Sequence, residues 1–304
     1  MNESAGSRTG STILLAVGVA LAFATVLGIV LWRDREQPAP ASLADLVASS
    51  DPGPIHVHGL GINPRDGALL VATHTGLWRS APGEQKAERV TDRLQDTMGF
   101  AVVGRDHFVG SGHPDPREAR AQGLPSQLGL IESRDAGKSW SQISLVGKAD
   151  FHILRTARER VYGFDSTSRR LMVSTDSGRS WRSRRPPAPL HDLVVDPANG
   201  SHIAASGAGG LWESRDEGRR WRWLGDGLGY LGWPDTNRLY LVTLSGAVRM
   251  KNGLSRRWRT VGRVEGEPAA LVVTKGDELY VALHDGTIVH SQDGGRTWAI
   301  RSRP

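Results

Sequence analysis

The chain has ten histidines and no cysteine. Without thiols there are no disulfides, no thiolate nucleophile and no thiolate metal site, so imidazole and carboxylate are the metal donors left to consider. His56 and His58 are two residues apart, which puts both rings on one side of an extended strand. A His-x-His arm of that kind can chelate Zn²⁺ or Cu²⁺. Another pattern recurs at a distance: Val71-Ala72-Thr73-His74 is echoed by Val281-Ala282-Leu283-His284. Whether such rings converge depends on the elements that carry them.

Those elements are set by a phrase that occurs four times, S-x-D-x-G-x-x-W, at Ser133–Trp140, Ser174–Trp181, Ser214–Trp221 and Ser291–Trp298. The starts are 41, 40 and 77 residues apart, and a worn copy from Lys251 to Trp258 fills the double gap. A period near 40 residues with strand-like flanks predicts a repeated four-stranded unit, the blade of a β-propeller. Within each copy the Asp can accept backbone N–H groups across a tight turn and the Gly can supply a positive φ. The Trp begins the returning strand and fills space under the hairpin. Asp135, Asp176, Asp216 and Asp293 therefore read as structural.

The phrase resembles the Asp-box, or BNR repeat, of sialidases, sortilin-type receptors and photosystem assembly factors, over roughly residues 56–302. The resemblance implies an all-β, six-bladed propeller. The chain is also similar to bacterial proteins labelled sialidase-like or glycosyl-hydrolase-like whose propeller begins His-x-His-Gly-Leu. Sialidases of this type carry an arginine triad, an Arg-Ile-Pro near the first blade and a Tyr nucleophile paired with Glu. Here the first blade has His56-Val57-His58-Gly59, no Arg-Ile-Pro occurs, and none of the four Tyr can be assigned a Glu partner. No sialidase catalytic set is identifiable, and the fold alone does not confer an activity.

Six units follow from the repeat. Unit one opens near Ile55, unit two covers Met98 to about Leu145 and unit three Phe151–Arg185. Unit four covers Leu190–Trp223, unit five Tyr230–Val261 and unit six Ala269–Ile300. Ring closure comes either from end-to-end packing or from the stretch near Pro54 pairing with unit six. In a propeller the inner strand starts on the face where the second strand ends. His58, His152 and His191 open the inner strands of units one, three and four. His74 and His284 close second strands, and His113 lies near that position in unit two. With His56, seven histidines from five blades share one rim, while His107 and His202 lie on the far face. One reading makes these rings amphipathic filler of the channel. The other makes His56, His58, His74, His152, His191 and His284 ligands of a transition metal, Cu or Zn. In that reading His113, Asp165, Asp192 and Asp285 ligate or orient an imidazole from behind. Arg117 and Arg120, in an insertion from His113 to Gln127, also suit an anionic or sugar ligand at the same rim.

Before the repeats, residues 1–11 form a short tail, and Thr12–Trp32 is 21 residues without a charge, about 30 Å as a helix. This is longer than the core of a cleaved signal peptide and predicts a transmembrane signal anchor. Arg8 on one side and Arg33 and Arg35 on the other leave its orientation open. Residues 33–54 are a Pro-rich linker and residues 55–304 the propeller. The net charge of +6 comes mostly from scattered Arg, with no basic run interleaved with aromatics, which argues against nucleic-acid binding. The sequence thus predicts a membrane-anchored, extracytoplasmic propeller that binds a metal, a protein or a glycan at a His-rich rim. A sialidase-like glycoside hydrolase and a scaffold for assembling an envelope protein are the alternatives.

Overall fold

The computed structural model describes residues 53–54, 56–252 and 257–304. The tail, the apolar stretch at 12–32 and nearly all of the linker lie outside them. Among the described residues no helix is long and apolar enough to cross a membrane.

The chain from Gly53 to Pro304 is one compact unit of six four-stranded antiparallel sheets. Blade one holds β1 (Val57–Ile62), β2 (Leu69–Thr73), β3 (Gly76–Ser80) and β4 (Glu88–Arg89). Blade two holds β5 (Asp96–Gly104), β6 (His107–His113), β7 (Leu130–Ser133) and β8 (Ser141–Ser144). Blade three holds β9 (Phe151–Ala157), β10 (Arg160–Asp165), β11 (Arg170–Ser174) and β12 (Arg182–Arg184). Blade four holds β13 (Leu190–Val195), β14 (Ile203–Gly207), β15 (Gly210–Ser214) and β16 (Arg222–Gly225). Blade five holds β17 (Gly229–Asp235), β18 (Arg238–Thr243), β19 (Ala247–Asn252) and β20 (Arg259–Arg263). Blade six holds β21 (Pro268–Val273), β22 (Leu279–Leu283), β23 (Ile288–Ser291) and β24 (Ala299–Ser302). The insertion of blade two folds into one short helix, α1 (Pro116–Gln122), started by the Asp115 carboxylate, which accepts from the Arg117 N–H.

Strand chemistry follows from stacking blades around a ring. β2 and β14 are buried on both faces, so Leu69-Leu70-Val71-Ala72-Thr73 and Ile203-Ala204-Ala205-Ser206-Gly207 are continuous runs of apolar and small residues, with no alternation. Apolar clusters fill the spaces between neighbouring blades. Leu70, Leu77, Phe100 and Phe108 join blades one and two. Leu130, Phe151 and Leu154 join two and three, and Tyr162, Leu171, Leu193 and Ile203 join three and four. Leu211, Leu231 and Leu241 join four and five, and Tyr240, Val248, Leu271 and Leu279 join five and six. Leu60, Leu69 and Val71 pack on Ala270, Ala282 and Ile288 to close blade one on blade six.

Among the described residues every blade draws its four strands from one contiguous stretch, and the ring closes by end-to-end packing. Polar contacts fasten the seam. The Ser302 hydroxyl donates to Gln85 O at 2.8 Å and the Arg301 guanidinium to Ala81 O at 2.7 Å, while Lys86 and Arg303 form a parallel bridge.

The repeated turn works as a clasp between blades. In blade three the Asp176 carboxylate accepts from the Ser180 N–H at 2.9 Å and from the Ser174 hydroxyl at 2.7 Å. The Ser174 oxygen in turn accepts the Gly178 N–H at 2.8 Å. Gly178 has φ +85° and lies against blade two, where a Cβ would stand 2.1 Å from Leu130 Cδ2. The same glycine in blades two, four and six faces Leu77, Leu171 and Val248 of the preceding blade. Trp140, Trp181, Trp221 and Trp298 each pack into the cluster shared with that preceding blade. The turn thus determines the distance between blades as well as the path of its own hairpin.

Removing the clasp has a measurable cost. Ser174→Ala leaves the buried Gly178 N–H without an acceptor and should lower stability by about 1–3 kcal/mol in urea unfolding, and Gly178→Ala should cost more through its clash with Leu130. The carboxylates of these turns also set an acid limit. Hydrogen bonds from Ser139 hold Asp135 down to about 2, and the Arg220 guanidinium does the same for Asp216. A carboxylate whose folded pKa is depressed stabilises the fold above its unfolded value and loses that contribution as pH falls through the folded one. Circular dichroism should therefore show the fold weakening between pH 3.8 and about 2, and an Asp135→Asn, Asp216→Asn variant should show a shallower acid transition.

Candidate metal centre

Three of the rim histidines, His58, His152 and His191, occupy one repeated backbone feature. In β1, Val57 pairs with Thr73 and Gly59 with Ala72, so His58 is the extra residue of a β-bulge. In β9, Phe151 pairs with Asp165 and Ile153 with Phe164, which makes His152 the extra residue. In β13, Leu190 pairs with Gly207 and Asp192 with Ser206, which leaves His191. Met98 and Ala269 hold the same place in blades two and six. A bulge breaks the ladder locally and re-aims the side chain of its extra residue. His58, His152 and His191 line a central channel of about 580 Å³, together with Arg155 and Tyr230.

Three groups on this rim converge. One donor atom from each of His58, His74 and Asp96 lies within 4.8 Å of the other two. His74 follows β2, His58 lies in β1, and Asp96 opens the inner strand of the next blade. The His74 Nδ1 is 2.9 Å from Asp96 Oδ2, and the His58 and His74 rings meet edge to face at 4.3 Å. His58 Nε2 and Asp96 Oδ1 face each other at 3.8 Å, and both are buried without a hydrogen-bond partner. That separation is too long for a hydrogen bond. It is close to the ~3.4 Å between neighbouring ligand atoms of a tetrahedral ion with bonds of about 2.1 Å. Two imidazoles and one carboxylate form a donor set suited to a first-row transition ion, with further coordination positions left open.

The electrostatics of His58 match this use. Burial, reinforced by the neighbouring His74, pushes the His58 imidazole down to about 4. Its lone pair is therefore free at neutral pH, as metal ligation requires. His74 is pushed the other way, above its ordinary value, by its hydrogen bond to Asp96.

The remaining predicted residues are placed as follows. His56 is exposed, with φ +55°, and its ring lies edge-on to His74 at 5.4 Å. His152 pairs with Asp150 at 2.9 Å and is electrostatically coupled to His58. His191 packs on Tyr230 at 4.8 Å, and its buried Nε2 has no hydrogen-bond partner. His113 Nδ1 lies 2.7 Å from Ser126 O, and His284 is exposed. Asp165 accepts the Asp150 N–H at 3.0 Å and the Ser168 N–H at 3.1 Å. Asp192 accepts the Leu231 N–H at 2.7 Å and is paired with Arg155 at 2.6 Å. Asp285 accepts the Thr287 N–H at 2.8 Å. Arg117 is bound to Asp115 at 2.6 Å.

Asp96 is the residue that sequence reasoning missed, and a signal for it existed. It stands two residues before the bulge of its blade, as His56 does in blade one and Asp150 in blade three. On the far face, His107 pairs with Glu132 at 2.6 Å in blade two, and His202 lies beside Glu213 and Asp196 in blade four. That second group borders a cavity of about 780 Å³ between blades four and five. Because the His–Glu pair recurs at equivalent places in two blades, it reads as part of the repeat.

No protein-family model matches the chain, and no curated protein matches it. Solved structures do. A GH74 xyloglucanase from Xanthomonas campestris is 18% identical, with a TM-score of 0.55, covering 81% of this chain and 45% of that one. A chain of a nidogen/laminin complex is 14% identical, with a TM-score of 0.57, covering 73% of this chain and 88% of that one. YCF48 from Cyanidioschyzon merolae is 15% identical, with a TM-score of 0.51, covering 82% and 85%. The chain thus spans under half the length of the xyloglucanase it resembles, and at these identities the likeness shows the propeller fold alone.

The opposed shifts of the two imidazoles can be observed directly. In metal-free protein, ¹H–¹⁵N NMR should show the His58 ring titrating near pH 4 and the His74 ring above its ordinary value. By linkage, His58 stabilises the fold fully above 6.5 and loses that contribution as pH falls toward 4. His74 contributes below 6.5 and loses its contribution as pH rises through its raised folded value. A His58 ring titrating at 6.5 would contradict its burial.

Proposed function

We propose that this propeller is a membrane-anchored, extracytoplasmic binding protein that holds a transition-metal ion, Cu or Zn, at one mouth of its channel. His58, His74 and Asp96 are the ligands. The observation that carries this reading is the pair of buried, unpartnered atoms, His58 Nε2 and Asp96 Oδ1, facing each other beside a third donor. Leaving buried polar groups unpaired costs free energy unless something satisfies them, and a cation bonded to both would do so. The open coordination positions and the channel beneath them supply a place for a group from a protein or glycan partner. The uncharged stretch at 12–32 supports a single membrane crossing, and the likeness to Asp-box proteins supports a place outside the cytoplasm. The hydrolase and scaffold readings rest on the shared fold.

Metal content of the purified segment 41–304, which contains the whole closed ring, tests this. After incubation with Zn²⁺ or Cu²⁺ and desalting, the wild type should retain about one ion per chain. A His58→Ala, Asp96→Ala variant should retain none, and His191→Ala, altered where the ring packs on Tyr230, should retain the ion. Wild-type protein that holds no metal would refute the proposal.

A further inference from the structure

The chain contains four methionines. Met172 packs between blades two and three and Met250 between blades five and six, as apolar side chains in tight cores do. Met98 belongs to neither kind of cluster. It is half-buried and stands at the bulge of β5, where Thr97 pairs with Gly112 and Gly99 with Ser111. This is the position held by His58 in blade one and His152 in blade three. Met98 therefore lies between those two histidines in the ring of bulge residues, and both of them line the channel mouth. It is also two residues from Asp96, so one strand brings the carboxylate of the site and a thioether to the same rim.

Blades one and three place donor pairs at the equivalent positions, His56 with His58 and Asp150 with His152, and blade two places Asp96 with Met98. A thioether is a poor ligand for Zn²⁺ and a good one for a soft ion, and Met sulfur beside imidazole selects copper, above all Cu(I). Resting on the metal site proposed above, we infer that the ion is copper and that Met98 supplies its soft ligand. Two imidazoles and a thioether then hold Cu(I), with Asp96 favouring the divalent state.

The absence of cysteine makes the test specific, because any sulfur bonded to the metal must come from methionine. Copper K-edge absorption of the Cu(I)-loaded segment 41–304 should show a sulfur neighbour at about 2.3 Å. Met98→Leu, similar in size and shape, should remove that neighbour. In anaerobic competition against bicinchoninate, the same variant should lose Cu(I) affinity by at least about tenfold. Its Zn²⁺ affinity, measured by competition against a chelating dye, should stay within about twofold. A wild-type spectrum without sulfur, or a variant that keeps its Cu(I) affinity, overturns the assignment of Met98 while leaving the metal site standing. Equal losses for Cu(I) and Zn²⁺ in Met98→Leu also overturn it, since they mark a packing role. Wild-type protein that binds neither ion refutes the underlying site as well.

Discussion

The packing of each blade against its predecessor is the constraint from which the rest of this structure follows. A blade has two large faces, and in a ring both must be covered. The second strands accordingly carry apolar residues on both faces, and a Trp from each Asp-box enters the neighbouring cluster. The box glycine brings its turn against the third strand of the blade before it, closer than any side chain would permit. The same clasp recurs in blades two, three, four and six, where it sets each blade against its predecessor in the same way.

That regularity gives the site its geometry. A bulge at one fixed point of the inner strand is shared by five blades, and in blades one, three and four its extra residue is a histidine that lines the channel. The scaffold thus presents a ring of positions whose chemistry can change without disturbing the core. Blades one to three carry imidazole, thioether and imidazole there, and Ala269 leaves the place empty of function in blade six. The donor set on this rim spans a blade boundary, with His58 and His74 on blade one and Asp96 on blade two.

Carboxylates near this rim divide according to what surrounds them. Asp192 follows His191 in the chain and Asp165 ends the second strand of blade three, yet both are buried and bound to backbone N–H groups and, for Asp192, to Arg155. Buried backbone donors at the ends of strands need acceptors, and these two residues supply them. Asp96 has a similar place but keeps one oxygen uncommitted and directed at His58. The difference is invisible in residue type and follows from which donors the neighbouring blade brings within reach.

Periodicity alone determined the blade count, the strand order and the structural part played by the four Asp-box carboxylates. A repeat of 40 residues with alternating turns and strands has few ways to bury its apolar faces. The same reading assigned His58, His152 and His191 to equivalent places, because register within a repeat is a local property. The tertiary structure decided how the ring closes, since end-to-end packing and strand exchange demand the same residues. It also decided which donors meet. Asp96 reaches His58 and His74 across a blade boundary, and such contacts depend on the spacing and twist between sheets, which no stretch of sequence encodes by itself.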